Sequence, residues 1–193
     1  MHIARSMQCV AVFSLVLAGS PAWGDARVAE ALSLPCNGCH GTDGVSQGAS
    51  IPTIAGLNAE FMAKVLEQYR DGTRNATIMD RIARGYKTYE LRKIARYFSQ
   101  KPWVTVKSET DAALIDRGQK LHEQHCAECH EDAGRYQDRD MPRLAGQRPV
   151  YLELQLQQYL SKSLPQPSEM GEKLSLLDAG DLPALSAFYS SVE

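Results

Sequence analysis

Aromatic side chains are scarce in this 193-residue chain: 2 Trp, 8 Tyr and 4 Phe, together 7% of the residues. That is thin for a chain whose length allows two small cores, because small domains bury little surface for their size. A large apolar group other than a side chain would help to fill such cores. Long apolar runs are also missing. The longest, Val10 to Ala18, is interrupted by Ser14 and is about half the ~20 residues that a bilayer-spanning helix needs. With 44% hydrophobic and 23% charged residues, a multi-pass membrane protein is excluded, and Gly 14 with Pro 9 excludes a collagen-like chain or a long disordered tail. Charge of one sign is lacking too. A formal net charge of −2 leaves no basic stripe for nucleic-acid phosphates. No alternating strand pattern and no flavin-binding fingerprint stand out.

The first 24 residues read as an address. Arg5 supplies a positive start, the short apolar run follows, and Gly19-Ser20-Pro21 breaks it. Ala22-Trp23-Gly24 then places small residues at −3 and −1 of a cleavage point before Asp25. Residues 1–24 are therefore expected to be a cleavable secretory leader, giving a periplasmic protein with no stable membrane insertion after cleavage. The mature chain then has 20 basic against 23 acidic residues.

Four cysteines remain after the leader, and they are not spaced like a disulfide framework. They form Cys36-Asn37-Gly38-Cys39-His40 and Cys126-Ala127-Glu128-Cys129-His130, 90 residues apart. Other features recur at the same offset. Ile51-Pro52-Thr53-Ile54-Ala55-Gly56 answers Met141-Pro142-Arg143-Leu144-Ala145-Gly146; Phe61 answers Tyr151, and Gln68-Tyr69 answers Gln158-Tyr159. Farther on the offset becomes 91, with Leu91, Ile94, Tyr97 and Phe98 answering Leu182, Leu185, Phe188 and Tyr189. A duplicated unit with one inserted residue between about 160 and 175 accounts for this pattern. The expected organisation is residues 25–100, a polar linker 101–110 around Pro102-Trp103, and residues 111–193.

Each half reads as helical, so the fold class is all-α, two tandem helical domains. Asn58 caps a helix with Glu60 in its first turn and Gly72 at its end. Thr88 is placed to cap another, whose Leu91, Ile94, Ala95 and Phe98 form one apolar stripe. In the second half, Asp111 to His125 leads into Cys126, Pro149 to Lys162 is a helix, and Asp181 caps Leu182 to Ser190. Gly118 is small enough to let another helix cross closely. Residues 41–50 and 131–140 read as Gly-rich or charged loops.

Three chemistries use Cys-x-x-Cys-His. Zinc motifs normally pair ~15–20 residues apart rather than 90, and a redox dithiol expects a βαβ surround. The third is covalent haem c, in which both thiols add to the porphyrin vinyl groups and the adjacent histidine reaches the iron. Two copies in a leader-bearing helical repeat favour this third chemistry. Two covalently bound haem c groups are therefore expected, on Cys36 and Cys39 and on Cys126 and Cys129, with His40 and His130 as axial ligands. The repeat also suggests the opposite ligands. Met79 lies 39 residues after His40, and Met170 lies 40 after His130. Met62 and Met141 face Leu152 and Ile51 across the repeat and read as packing. Pro52 and Pro142 are placed to present a carbonyl to the histidine's second ring nitrogen. His122 and His125 read as exposed and without a role.

Taken together, these residues resemble the dihaem class I cytochromes c over the whole mature chain. Thr77-Ile78-Met79-Asp80-Arg81-Ile82-Ala83-Arg84-Gly85-Tyr86, with Tyr97-Phe98 and with Gly118-Gln119-Lys120-Leu121-His122, is similar to the cytochrome subunit of flavocytochrome c sulfide dehydrogenase. The resemblance implies tandem cytochrome c-like domains and the axial sets His40/Met79 and His130/Met170. It implies a heterodimer with an FAD-containing flavoprotein that oxidises sulfide, and a downstream cytochrome or oxidase as acceptor. On this reading the chain has no catalytic residues and does not oxidise sulfide alone. A freestanding dihaem carrier feeding a terminal oxidase is the other reading. A dihaem peroxidase is disfavoured because it needs an open iron, and both haems here have a methionine candidate.

Overall fold

The computed structural model describes residues 22–193, whose regular elements are all helices, with no strand among them. The leader expected over 1–24 lies almost entirely outside the described residues. Among those described, no helix is long and apolar enough to cross a membrane.

The first half consists of α1 (Ala22–Ser33), α2 (Asn37–His40), α3 (Ala59–Asp71), α4 (Met79–Ala83) and α5 (Thr88–Ser99). The expected stripe on α5 is its buried face: Leu91, Ile94, Ala95 and Phe98 are each 4% exposed or less. Burying each of the large members contributes about 1.5–3 kcal/mol relative to leaving it in water. α1 and α3 pack on α5, and α4 packs on α3. Leu57, Met62, Ile94, Ala95 and Phe98 form the first core. Asn58 caps α3 as expected, accepting from the Glu60 and Phe61 amides at 2.9 and 3.1 Å, and Gly72 ends it at φ 74°. Thr88 is not a cap. It is the first residue of α5, and its hydroxyl accepts from Arg70 Nη1 at 2.6 Å, while Glu90 reaches back to the Lys87 amide at 2.7 Å.

The second half repeats this plan with α6 (Ala112–Leu121), α7 (Glu131–Gly134), α8 (Pro149–Leu160), α9 (Ser168–Leu174) and α10 (Leu182–Ser191). α6 and α8 pack on α10, and α9 packs on α8. The second core is Leu152, Leu174, Leu177, Leu182, Leu185, Phe188 and Tyr189. Asp181 precedes α10, but its carboxylate accepts from the Asp178 amide and from Arg117 rather than capping α10. Backbone bonds recur at equivalent positions of the two halves. The Gly44 carbonyl accepts from Ile54 and Ala55, as Gly134 accepts from Leu144 and Ala145; Gly56 donates to Phe98 as Gly146 donates to Tyr189.

Buried polar contacts join the two halves. Gln147, 3% exposed, donates to the Thr53 carbonyl and accepts from the Thr53 amide, both at 2.9 Å. Gln137 bridges the Gly56 carbonyl and the Asn58 amide, each at 2.8 Å. The segment between the halves is anchored on both sides. Trp103 packs on the first core, and the Arg143 guanidinium stacks 5.0 Å from its ring.

Candidate functional site at the two Cys-x-x-Cys-His turns

Both motifs sit on one tight helical turn that follows a longer helix. In the first, Cys36 ends a short 3-10 turn that Pro35 initiates, and α2 carries Cys39 and His40. Consecutive helical turns put the two thiols on one side and the histidine next to them. No disulfide joins the four cysteines. Cys36 and Cys126 are half-buried against their respective cores, and burial raises both thiols above the usual range.

His40 is buried, and its Nδ1 donates to the Pro52 carbonyl at 2.9 Å. A carbonyl can only accept, so the proton is on Nδ1 and the Nε2 lone pair is free for a metal. Burial also pushes the imidazole pKa down, which keeps that lone pair available. The expected role of Pro52 is thus met.

The matching role of Pro142 is not. His130 is half-buried, with burial and the nearby His122 pushing its pKa down to about 4, but its Nδ1 has no hydrogen-bond partner. The cause is one residue. After His40 the chain turns through Gly41 at φ 78°, ψ 166°, where a Cβ would lie 2.0 Å from the Val45 oxygen. The equivalent position is Glu131, which cannot follow that path. The second loop turns instead through His130 at ψ 64° and through Asp132 in the left-handed region, while left-handed Ala133 has a counterpart in Asp43. The two histidines therefore receive different backbone support.

The structure places the candidate methionines differently. Met170 packs on the second core, as Cys126 does. Met79 is half-buried at the first position of α4 and is not among the side chains packed on the first core. The segment it belongs to returns to the motif at Tyr86, which packs with Cys36 on the first core. Met62 is a core residue at 6% exposure, as expected, whereas Met141 is half-buried and outside both cores. Large apolar side chains remain exposed around these loops, including Ile78, Ile82 and Leu176 at 48%, 40% and 64%. Free paired thiols, imidazoles with an available nitrogen, and uncovered apolar side chains fit a covalently held apolar macrocycle.

The expectation that His122 is exposed fails. It is 5% exposed and lies in a π-helical turn, His122–Cys126, with its ring against Phe188 and its Nδ1 2.9 Å from the Tyr189 hydroxyl. The extra residue of that turn moves His122 inward, which 3.6-residue periodicity does not reveal. Desolvation lowers its pKa below the usual 6.5. Because the folded value is the lower one, its contribution to stability is complete above pH ~6.5 and lost as pH falls through the folded value. The melting temperature of the second half should therefore fall on acidification below pH ~6.5, and His122→Leu should reduce that fall in a calorimetric pH series.

No family model matches the chain. Among curated proteins it is 46% identical over 69 residues to the cytochrome subunit of sulfide dehydrogenase from Chlorobaculum tepidum, a match covering 36% of this chain and 62% of that protein. It is 31% identical over 140 residues to cytochrome c4 of Pseudomonas aeruginosa, covering 69% of this chain and 70% of that one. It is 27% identical over 183 residues to the thiosulfate dehydrogenase electron acceptor of Thiomonas intermedia, covering 90% and 81%. The crystal structure of reduced cytochrome c4 from Pseudomonas stutzeri superposes with a TM-score of 0.75 at 25% identity, covering 91% of this chain and all of that one.

Proposed function

The chain belongs to the cytochrome c4 family of dihaem class I cytochromes, carrying two covalently bound haem c groups, and from that premise we propose that it accepts electrons from a sulfide-oxidising flavoprotein in the periplasm. Bound haem supplies a one-electron iron couple. The residues of the chain do the rest. Cys36 and Cys39 tether one haem in the half formed by 25–100, and Cys126 and Cys129 tether the other in 111–193. His40 with Met79, and His130 with Met170, would supply the ligands to the two irons. The Pro52 carbonyl holds the His40 Nδ1 proton, which would leave Nε2 free to ligate. Methionine sulfur favours the ferrous state and so raises the potential at which electrons are taken.

The observation that carries this reading is the 46% identity to a sulfide dehydrogenase cytochrome subunit. Sulfide oxidation releases electrons in pairs, a flavin can split a pair, and two haems on one chain can hold both. A second reading is an electron acceptor for a thiosulfate dehydrogenase, favoured by a similarity that spans 90% of the chain. A freestanding carrier to an oxidase, as the cytochrome c4 likeness suggests, needs neither enzyme.

Mixing the haem-loaded chain with the flavoprotein should give a stable complex whose haems are reduced rapidly on adding sulfide. Arg81, Arg84 and Lys87 are exposed around the Met79 helix, Arg84 pairing with Asp80 at 2.9 Å. Charge reversal at any of them should weaken the complex by roughly five-fold, on the order of 1 kcal/mol, and reversal at Arg139 should do less. Fast sulfide turnover by the cytochrome alone would refute the reading. Reduction only when thiosulfate and a thiosulfate dehydrogenase are supplied would establish the second one.

A further inference from the structure

The two halves fill the space around their first cysteine differently. In the first half, Leu32 and Phe98 belong with Cys36 to the first core. The equivalent positions in the second half are His122, 90 residues after Leu32, and Tyr189, 91 after Phe98. Backbone and ring placement show that Phe98 and Tyr189 correspond. Their carbonyls accept from the amides of Gly56 and Gly146 respectively. A Cβ on Gly44 would lie 2.8 Å from Phe98 Cδ1, and one on Gly134 would lie 2.9 Å from Tyr189 Cδ1. Where one half holds two apolar side chains, the other holds two polar ones, and both are buried.

A core that closes with leucine and phenylalanine in one half does not need a histidine and a phenol in the other, because buried polar groups cost stability unless they are paired. These two pair with each other, His122 Nδ1 lying 2.9 Å from the Tyr189 hydroxyl. The hydroxyl has a second neighbour. Cys126 packs on the same core, and its sulfur is within hydrogen-bonding reach of the Tyr189 oxygen. A phenol has one proton to give, and burial keeps that proton on the oxygen. A cysteine whose sulfur is bonded to a second carbon has no proton and can only accept. With Cys126 in that form, the arrangement that satisfies every group runs one way. His122 Nδ1–H donates to the Tyr189 oxygen, and the Tyr189 O–H donates to the sulfur.

We propose that Tyr189 is a hydrogen-bond donor to the Cys126 tether of the second haem, and that His122 is the residue that positions it. The proposal rests on the tether assigned above to Cys126 and not on the identity of the electron donor. The hydroxyl proton draws electron density from the porphyrin edge, disfavours the ferric state and raises the potential of that haem. Phe98 gives the first haem no such bond, so the duplicated unit yields two unlike redox centres.

The test uses the full haem-loaded chain, with potentiometric titration and resonance Raman spectra of Tyr189→Phe, His122→Leu, the double variant and His122→Asn. Tyr189→Phe gives the second half the side chain that the first already carries, so it should fold. It should move one midpoint potential downward and leave the other nearly unchanged. His122→Leu should move the same midpoint by less, and should add nothing in the Tyr189→Phe background. His122→Asn, whose amide can still donate, should keep most of the unsubstituted value. A carbon–sulfur stretching band that shifts in D2O should be present in the unsubstituted protein and lost in Tyr189→Phe. Unchanged potentials and an unchanged band, with only a lowered melting temperature, would overturn the proposal and leave the pair as core packing. A His122→Leu shift that persists in full in the Tyr189→Phe background would overturn the positioning role. A pyridine haemochrome count of one haem per unsubstituted chain would overturn the tether, and the proposal with it.

Discussion

Met79→Ala should lower the midpoint potential of one haem by on the order of a few tenths of a volt, within the ~0.8 V that axial ligands command, and leave the other nearly unchanged. Met170→Ala should do the same to the second haem. The two variants should differ in stability. Met170 packs on the second core, whereas Met79 stands at the start of α4 outside the first. Both are half-buried, but only Met170 packs on a core and so leaves a gap there when truncated, so Met170→Ala should also melt earlier than Met79→Ala. Two other methionines serve as controls. Met62→Ala should destabilise the first half without moving a potential, and Met141→Ala should do neither. Redox titration with visible spectra distinguishes these outcomes. Bis-histidine spectra in the unsubstituted protein, or a potential that responds to Met141→Ala and not to Met170→Ala, would sink the ligand assignment.

Gly118→Ala should be the most damaging single-methyl change in the second half. A Cβ at Gly118 would lie 2.0 Å from the Ala184 oxygen, 2.6 Å from its carbonyl carbon and 2.7 Å from Phe188 Cβ. The first two are backbone of α10, so no rotamer change relieves the clash and α6 must move away from α10. That helix carries Leu185, Phe188 and Tyr189 into the second core, and Tyr189 also accepts from the Gly146 amide. Overpacking typically costs 1–3 kcal/mol, and backbone obstruction puts this site at about the upper end or beyond. A fall in the second half's melting temperature on the order of 10 °C is expected by calorimetry. Gly72→Ala is the comparison. It has open space around it but φ 74°, so it should cost only about 1 kcal/mol.

The crossing at Gly118 shows how sequence and structure divide the explanation. A small residue there is compatible with a close helix crossing, and the crossing is real. The first half lacks a glycine at the same distance from its motif. Ala29 lies seven residues before Cys36, while Gly118 lies eight before Cys126; the π turn at His122–Cys126 takes up the difference. Fixed-offset alignment therefore matches Gly118 to Val28, an exposed residue, instead of the half-buried Ala29. The same turn is why His122 reads as a surface residue and is in fact buried.

The sequence by itself determined the covalent pattern and the local helices. Cys-x-x-Cys-His, the caps at Asn58 and Gly72, and the stripe on α5 depend on neighbours within about four residues, and such neighbours are visible as spacing. The 90-residue repeat likewise needs only comparison of the chain with itself. What the tertiary structure decided depends on groups far apart in the chain or on a backbone path. Gly41 against Glu131 sends the two loops along different routes, so His40 receives the Pro52 carbonyl and His130 receives none. Tyr69, Gln155 and Tyr159 meet at Arg74 only when the halves are packed together, which turns an ordinary basic residue after a helix into a buried charge. Spacing records which residues can be neighbours along a helix; burial and pairing across two halves are properties of the packed whole.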